Sequence, residues 1–186
     1  MARAFAKIAF TDNVKQLQSE MGSRETYQVF EQGDTDDVCI DKRTEQFIKQ
    51  RDSFYIATSN DDGWPYIQHR GGPKGFLKVL SDKQIGFADF RGNRQYLTAG
   101  NIQGNSKVCL FLMDYAQTRR LKIWGHAEVI QEAEYAGFMA QLELAEFRAP
   151  VERGIVITID AMDWNCPKYI TPRYTQDEFA QFLVDD

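Results

Sequence analysis

Only 3 cysteines and 2 histidines occur in 186 residues, and that scarcity narrows the chemistry at once. Cys39, Cys109 and Cys166 are odd in number and far apart, with no CxxC pair. Neither a disulfide framework nor a structural zinc site is expected from them. Cys109 lies in the apolar run Val108–Met113 and is expected to act as a small core hydrophobe. With His69 and His126 alone, no Ser-His-Asp or Cys-His order stands out, so hydrolase chemistry has no support. Walker and GxGxxG loops are missing too. No apolar run approaches the ~20 residues that cross a bilayer. Lys7 and Asp12 interrupt the N-terminal apolar residues before a secretory hydrophobic region forms, which makes cytoplasm the expected compartment. Positive charge is not in excess: 22 basic against 27 acidic residues give −5. General nucleic-acid or anionic-membrane binders are net basic, so neither partner is expected.

What is present describes an ordinary globular chain, 43% hydrophobic, 26% charged and 13% aromatic, long enough for one core and short for two. One domain over 1–186 is expected, with a helical extension over about 1–50. Val14, Leu17 and Met21 recur at helical spacing behind Thr11 and Asp12 and ahead of Gly22. The acidic stretch Glu31–Asp37 is read as a solvated loop. Asp41 caps a second helix to about Arg51, with Phe47 and Ile48 turned inward. The period then changes to two. Phe54–Ser59 and Trp64–His69 form a hairpin around Asn60-Asp61-Asp62-Gly63. Phe76–Leu80 and Gln84–Asp89 form another, and a short helix starts near Tyr96. Lys107–Asp114, Arg119–Ile130 and Ile155–Trp164 are further strands, and Glu132–Phe147 is a helix. Thr175 and Glu178 make a capping box for a last helix that buries Phe179, Phe182 and Leu183. Six or seven mostly antiparallel strands with a few covering helices predict a mainly β protein whose sheet closes into a barrel, because closure removes exposed edges.

Four segments are candidates for chemistry. In Gln68–Lys78, glycines interrupt a strand pattern, and Arg70, Lys74 and Lys78 are available to an anion; a bulged hairpin with solvated charges is the alternative. Phe90–Gln95 is a glycine-containing loop at a helix start, where backbone N–H groups and Arg94 suit a phosphate; an ordinary turn with an exposed arginine competes. In Arg119–Gly125, Arg120, Lys122 and Trp124 share one strand face. Trp164–Arg173 holds Cys166 beside Pro167, and an incidental cysteine is favoured over a reactive one because no histidine adjoins it. His126 is read as structural; His69, beside the glycine bulge, is the better functional candidate.

In this order the segments resemble the pyridoxamine 5′-phosphate oxidase superfamily over roughly Phe54 to Arg173. The resemblance implies an FMN-binding split barrel and a homodimer with two cofactor sites at the subunit interface. It implies a cofactor-contacting strand at Gly75, Phe76, Leu77 and Lys78, joined by Arg70. A strand-end pair falls at Ala88 and Asp89, and a phosphate loop at Asn93, Arg94 and Gln95, where the family's Lys has become Gln95. Arg119-Arg120 matches a strand pair reaching the flavin from the partner, so Arg120 joins the set, and Trp164 and Arg173 match a Trp and Arg that close the site. The chain departs from the true oxidase in two places: Glu132–Phe147 carries no Tyr-Arg-Ser substrate-phosphate motif, and Tyr169-Ile170-Thr171-Pro172 replaces a C-terminal Arg-x-His. The implied activity is therefore an FMN-dependent oxidoreduction of an unassigned small molecule, with no catalytic residue assigned. Alternatives are a non-catalytic flavin- or haem-binding protein (haem through His69), a deazaflavin reductase, and a purely structural dimer.

Overall fold

Alternation of buried and less buried residues marks the stretches that become strands, whose inward faces make one core. The computed structural model describes residues 3–33, 38–144, 146–164 and 166–182; side chains of 132–136 and 181–182 are not described. Four short helical pieces come first: α1 (Ala4–Ala9), α2 (Asp12–Glu20), α3 (Arg24–Gln28) with a 3-10 turn at Val29–Glu31, and α4 (Lys42–Lys49). Asp41 caps α4 by accepting from the Thr44 N–H at 2.7 Å, and Phe47 and Ile48 turn into the core as expected. The strands are β1 (Ser53–Ser59), β2 (Pro65–Gly71), β3 (Lys78–Val79), β4 (Gln84–Phe90), β5 (Lys107–Asp114), β6 (Arg119–Ile130) and β7 (Val151–Trp164). Helix α5 (Leu97–Gly104) follows β4, α6 (Glu132–Leu142) follows β6, and α7 (Gln176–Phe182) comes last.

All seven strands form one antiparallel sheet in the order β2-β1-β5-β6-β7-β4-β3, so the fold is mainly β with flanking helices, a split barrel. The two ends of that order meet. Phe54 of β1 packs edge-on against Phe87 of β4, with ring centroids 5.2 Å apart, and Arg70 of β2 reaches Asp89 of β4 at 2.6 Å. Strand β4 is buried on both faces. Ile85 and Phe87 face the barrel interior, while Ala88 packs with Met139 and Leu142 of α6. Period two therefore turns Asp89, like Phe87, away from α6 and toward β2.

Several expectations need correction. The strand expected over Phe76–Leu80 shrinks to Lys78–Val79, because Gly75 turns the chain at φ +84° and sends Phe76 and Leu77 into the core. Helix α6 stops at Leu142, short of Phe147. Strand β7 starts at Val151, four residues before Ile155, because Val151–Arg153 pair with the end of β4 although their side chains break the apolar run. Cys109 is only half-buried: Val108, Leu110 and Leu112 take the inward positions of β5, which leaves the thiol on the outer face, where burial still raises its pKa. The capping box at Thr175 and Glu178 forms, yet Phe179 is 55% exposed. Phe182's side chain, Leu183 and residues 34–37 of the expected acidic loop lie outside what is described.

Gly125 permits the irregular pairing of β6 with β7, since a Cβ there would lie 2.3 Å from the Thr158 carbonyl oxygen. Gly125→Ala is expected to cost about 1–3 kcal/mol, as overpacking against backbone does. In α5 a Cβ at Gly100 meets nothing within 4 Å, so Gly100→Ala should stabilise by about 0.5–1 kcal/mol. Thermal unfolding of the two variants should thus move in opposite directions.

Candidate functional site

Period two on β2 places Tyr66, Gln68 and Arg70 on one half-buried face, with Ile67 and His69 exposed on the other. That polar row forms one wall of a cleft of about 260 Å³. The end of β4 (Asp89, Phe90), the loop Gly92–Tyr96, the first turn of α5 and Glu152 of β7 complete it. The arginines expected from two glycine-interrupted segments, Arg70 and Arg94, thus share one cleft with Asp89, Asn93 and Gln95. The start of α5 has no side-chain cap: Tyr96, at its N-cap, is left-handed. The backbone donors of that first turn therefore remain available beside the cleft.

Charge is distributed unevenly here. Arg70 Nη1 lies 2.6 Å from Asp89 Oδ1, and Arg153 Nε lies 3.4 Å from Asp89 Oδ2. Glu152 meets Arg153 at 2.8 Å, Arg91 at 3.2 Å and Arg94 at 3.9 Å. In this network four guanidiniums share two carboxylates, a surplus of two positive charges in a chain whose formal net charge is −5. Burial pushes the Asp89 carboxyl above its usual range, more than the neighbouring Arg70 and Arg153 pull it down. Burial also acts on Glu152, but hydrogen bonds from Arg153 and Arg91 outweigh it and hold that carboxyl low. Arg70 Nε and Arg153 Nε are buried without a hydrogen-bond partner among the described residues. Buried donors normally find partners, and of these two arginines Arg70 is the one that lines the cleft, placed to meet a ligand's acceptors.

The remaining expected residues lie elsewhere. Phe76, Leu77 and Ala88 are buried, so only their backbone is open to a ligand. Lys78 is half-buried, and its pKa is lowered by burial and by Lys49. Arg120 and Trp164 sit at the far end of the β6–β7 ribbon: Leu121 pairs with Trp164, whereas Ile130 pairs with Gly154. At ~3.3 Å per residue, the contour of β7 from Arg153 to Trp164 is roughly 36 Å. Arg173 stands over the Tyr115 ring in a second cleft of about 590 Å³, with Lys74 and the buried Arg51–Asp114 pair, 2.9 Å apart; no lining residue is common to the two clefts. Tyr66, Gln68, Tyr96, Glu152 and Arg153 were not anticipated. The alternation behind Arg70 would have found the first two. His126 is paired with Asp160 at 2.6 Å. Among the described residues, no group of three or more His, Cys, Asp or Glu is placed to hold a metal ion, and no helix is long and apolar enough to cross a membrane.

The family model described as pyridoxamine 5′-phosphate oxidase matches residues 40–164. The chain belongs to that family. No curated protein matches it. Among solved structures it is similar to a putative pyridoxamine 5′-phosphate oxidase of Lactobacillus delbrueckii, with 21% identity and a TM-score of 0.53, over 69% of this chain and 96% of that one. It is also similar to HupZ of Group A Streptococcus, with 19% identity and a TM-score of 0.53, over 73% and 99%. A third is an FMN-binding protein of Syntrophomonas wolfei, with 13% identity and a TM-score of 0.50, over 80% and 97%. At these identities the structural likeness establishes the fold alone.

Proposed function

We propose that the chain binds FMN and acts as an FMN-dependent oxidoreductase on a small molecule, as a homodimer in the cytoplasm with two shared sites. The observation that carries this reading is the surplus of two positive charges around the cleft between β2 and the start of α5. A phosphate dianion balances that surplus, and Arg70, whose Nε has no hydrogen-bond partner among the described residues, supplies donors for its oxygens together with the first-turn N–H groups of α5. At about 260 Å³ the cleft falls below the ~300–1,000 Å³ of pockets that enclose a drug-sized ligand. It suits the phosphate end, and the ring then lies outside it. Arg120, Trp164 and Arg173 are too far along the fold to serve the same cofactor in one protomer, which favours their delivery by the second subunit.

Bound flavin supplies the hydride or electron transfer, and the chain's residues bind and orient it. Arg94 and Arg70 neutralise the phosphate, and Gln68, Asn93 and Gln95 offer neutral donors around it. The haem alternative is disfavoured, because His69 is exposed on the side of β2 opposite the cleft and packs its ring against Tyr55. Purified protein should be yellow and release about one FMN per chain on denaturation, identified by its mass. Phosphate-free flavin, or none, would refute the reading. Arg94→Ala should weaken FMN retention about tenfold or more, the scale of one charge-assisted hydrogen bond. Lys15→Ala, in the N-terminal extension where Lys15 pairs with Glu31 at 2.7 Å, should leave retention unchanged. Equal retention in the two variants would remove Arg94 from the phosphate site.

A further inference from the structure

We infer that Arg153 and Tyr96 form a positioning pair that holds the loop carrying Arg94 in its binding shape, so that discrimination between a phosphorylated flavin and its phosphate-free form depends on an arginine outside that loop. The inference rests on the FMN reading above and adds two residues to it.

The loop is held against the local preference of its backbone. Arg94 and Tyr96 both have left-handed φ, +61° and +57°, which non-glycine residues seldom adopt. Something must over-determine that shape, and the side chains show what does. Arg94 Nε donates to the Tyr96 hydroxyl at 2.9 Å, and the Arg153 guanidinium stands 4.6 Å from the centre of the Tyr96 ring. The three residues differ in anchorage. The Arg94 side chain is 66% exposed, whereas that of Arg153 is 15% exposed and tied to Glu152 at 2.8 Å and Asp89 at 3.4 Å. Strand register fixes Arg153 further, since its Cα partner on β4 is Asp89. Position therefore passes from a buried arginine on β7, through a tyrosine ring, to an exposed arginine that would otherwise sample many rotamers. An exposed cation positioned in this way loses less entropy when it binds a phosphate.

Dissociation constants for FMN and for riboflavin, read from quenching of flavin fluorescence, test the pair. Arg153→Ala should weaken FMN about tenfold while riboflavin changes less than about threefold. Tyr96→Ala should match it, and the Arg153→Ala/Tyr96→Ala double variant should be no weaker than either single one, the mark of residues acting in series. Should Arg153→Ala not fold, Arg153→Lys keeps the charge but loses the planar face, and should show a smaller loss in the same direction. Additive losses, or equal losses for FMN and riboflavin, would overturn the inference. A second readout needs no flavin: the Arg94 Nε–H should exchange slowly with solvent in the wild type and faster in Arg153→Ala, and equal exchange would also overturn it. Wild-type protein that binds neither flavin, yet shows the difference in exchange, would refute the FMN reading while leaving the positioning pair in place.

Discussion

Asp89→Ala is expected to destabilise the fold by about 3–5 kcal/mol, the cost of removing one partner from a buried ion pair. Asp89 is 8% exposed and is the counter-charge to Arg70 and Arg153, each with a buried Nε that already has no hydrogen-bond partner among the described residues. Its loss leaves two guanidiniums facing each other across the junction where β2 meets β4. For a chain of this size the midpoint of thermal unfolding should fall on the order of 10 °C. Adding Arg70→Met to Asp89→Ala should recover part of the loss, because an apolar side chain of similar length removes the orphaned charge. No recovery would mean that Asp89 acts through some other contact. A pH series separates the carboxylate further. Burial raises the Asp89 pKa, so the native state binds this proton more tightly than the unfolded chain does. Its contribution to stability is present below the ordinary carboxylate range and is lost as pH rises through the raised value. Glu152, Glu31 and Glu178 are held low and work in the opposite sense, their contributions being lost as pH falls. Asp89→Asn should therefore lack a decline in urea midpoint just above the carboxylate range that the wild type shows.

Mixing two defective chains should restore cofactor binding, and this is the second large effect. In the dimer proposed above, Arg94→Ala and Arg120→Ala homodimers are each expected to retain little FMN. When the two chains are unfolded and refolded together, half of the dimers are mixed, and each mixed dimer carries one site with both arginines intact. About a quarter of all sites should then hold FMN. A site built within one protomer would give no recovery, since every chain still carries a defect. The expectation follows from geometry: Arg120 Nε is buried without a partner among the described residues, and Arg120 sits at the end of β6 farthest from Glu152 and Arg153. Full FMN retention by Arg120→Ala alone would exclude that residue.

The architecture was legible from the sequence because alternation is a local signal: Lys107–Asp114 and Arg119–Ile130 have the boundaries expected from their pattern. The place of the glycine loop was legible for a similar reason, since Gly92-Asn93-Arg94 lies between a strand and a helix as its turn chemistry indicates. What could not be read is register across the sheet. Arg153 opposes Asp89 only because β7 begins at Val151, and the charged Glu152 and Arg153 hide that start from any hydrophobic pattern. Phe76 and Leu77 misled in the other direction. Their apolar character belongs to a turn folded into the barrel and not to a strand. The expected site residues are divided among two clefts, a distant strand end, the core (Phe76, Leu77, Ala88) and β3 (Lys78), a separation that linear order does not reveal.

Strand order has one further consequence, for the nascent chain. Strands β3 and β4 pair with each other early, but β4's other neighbour is β7, where Ile85 waits for Ile157. A ribosome has to deliver β7, far along the chain from β4, before that edge is covered, so the barrel closes only after β7 has emerged. Until then the apolar faces of β4 have no lasting cover, and a chaperone that shields an extended apolar strand should engage this protein chiefly between the emergence of Phe90 and that of Thr158.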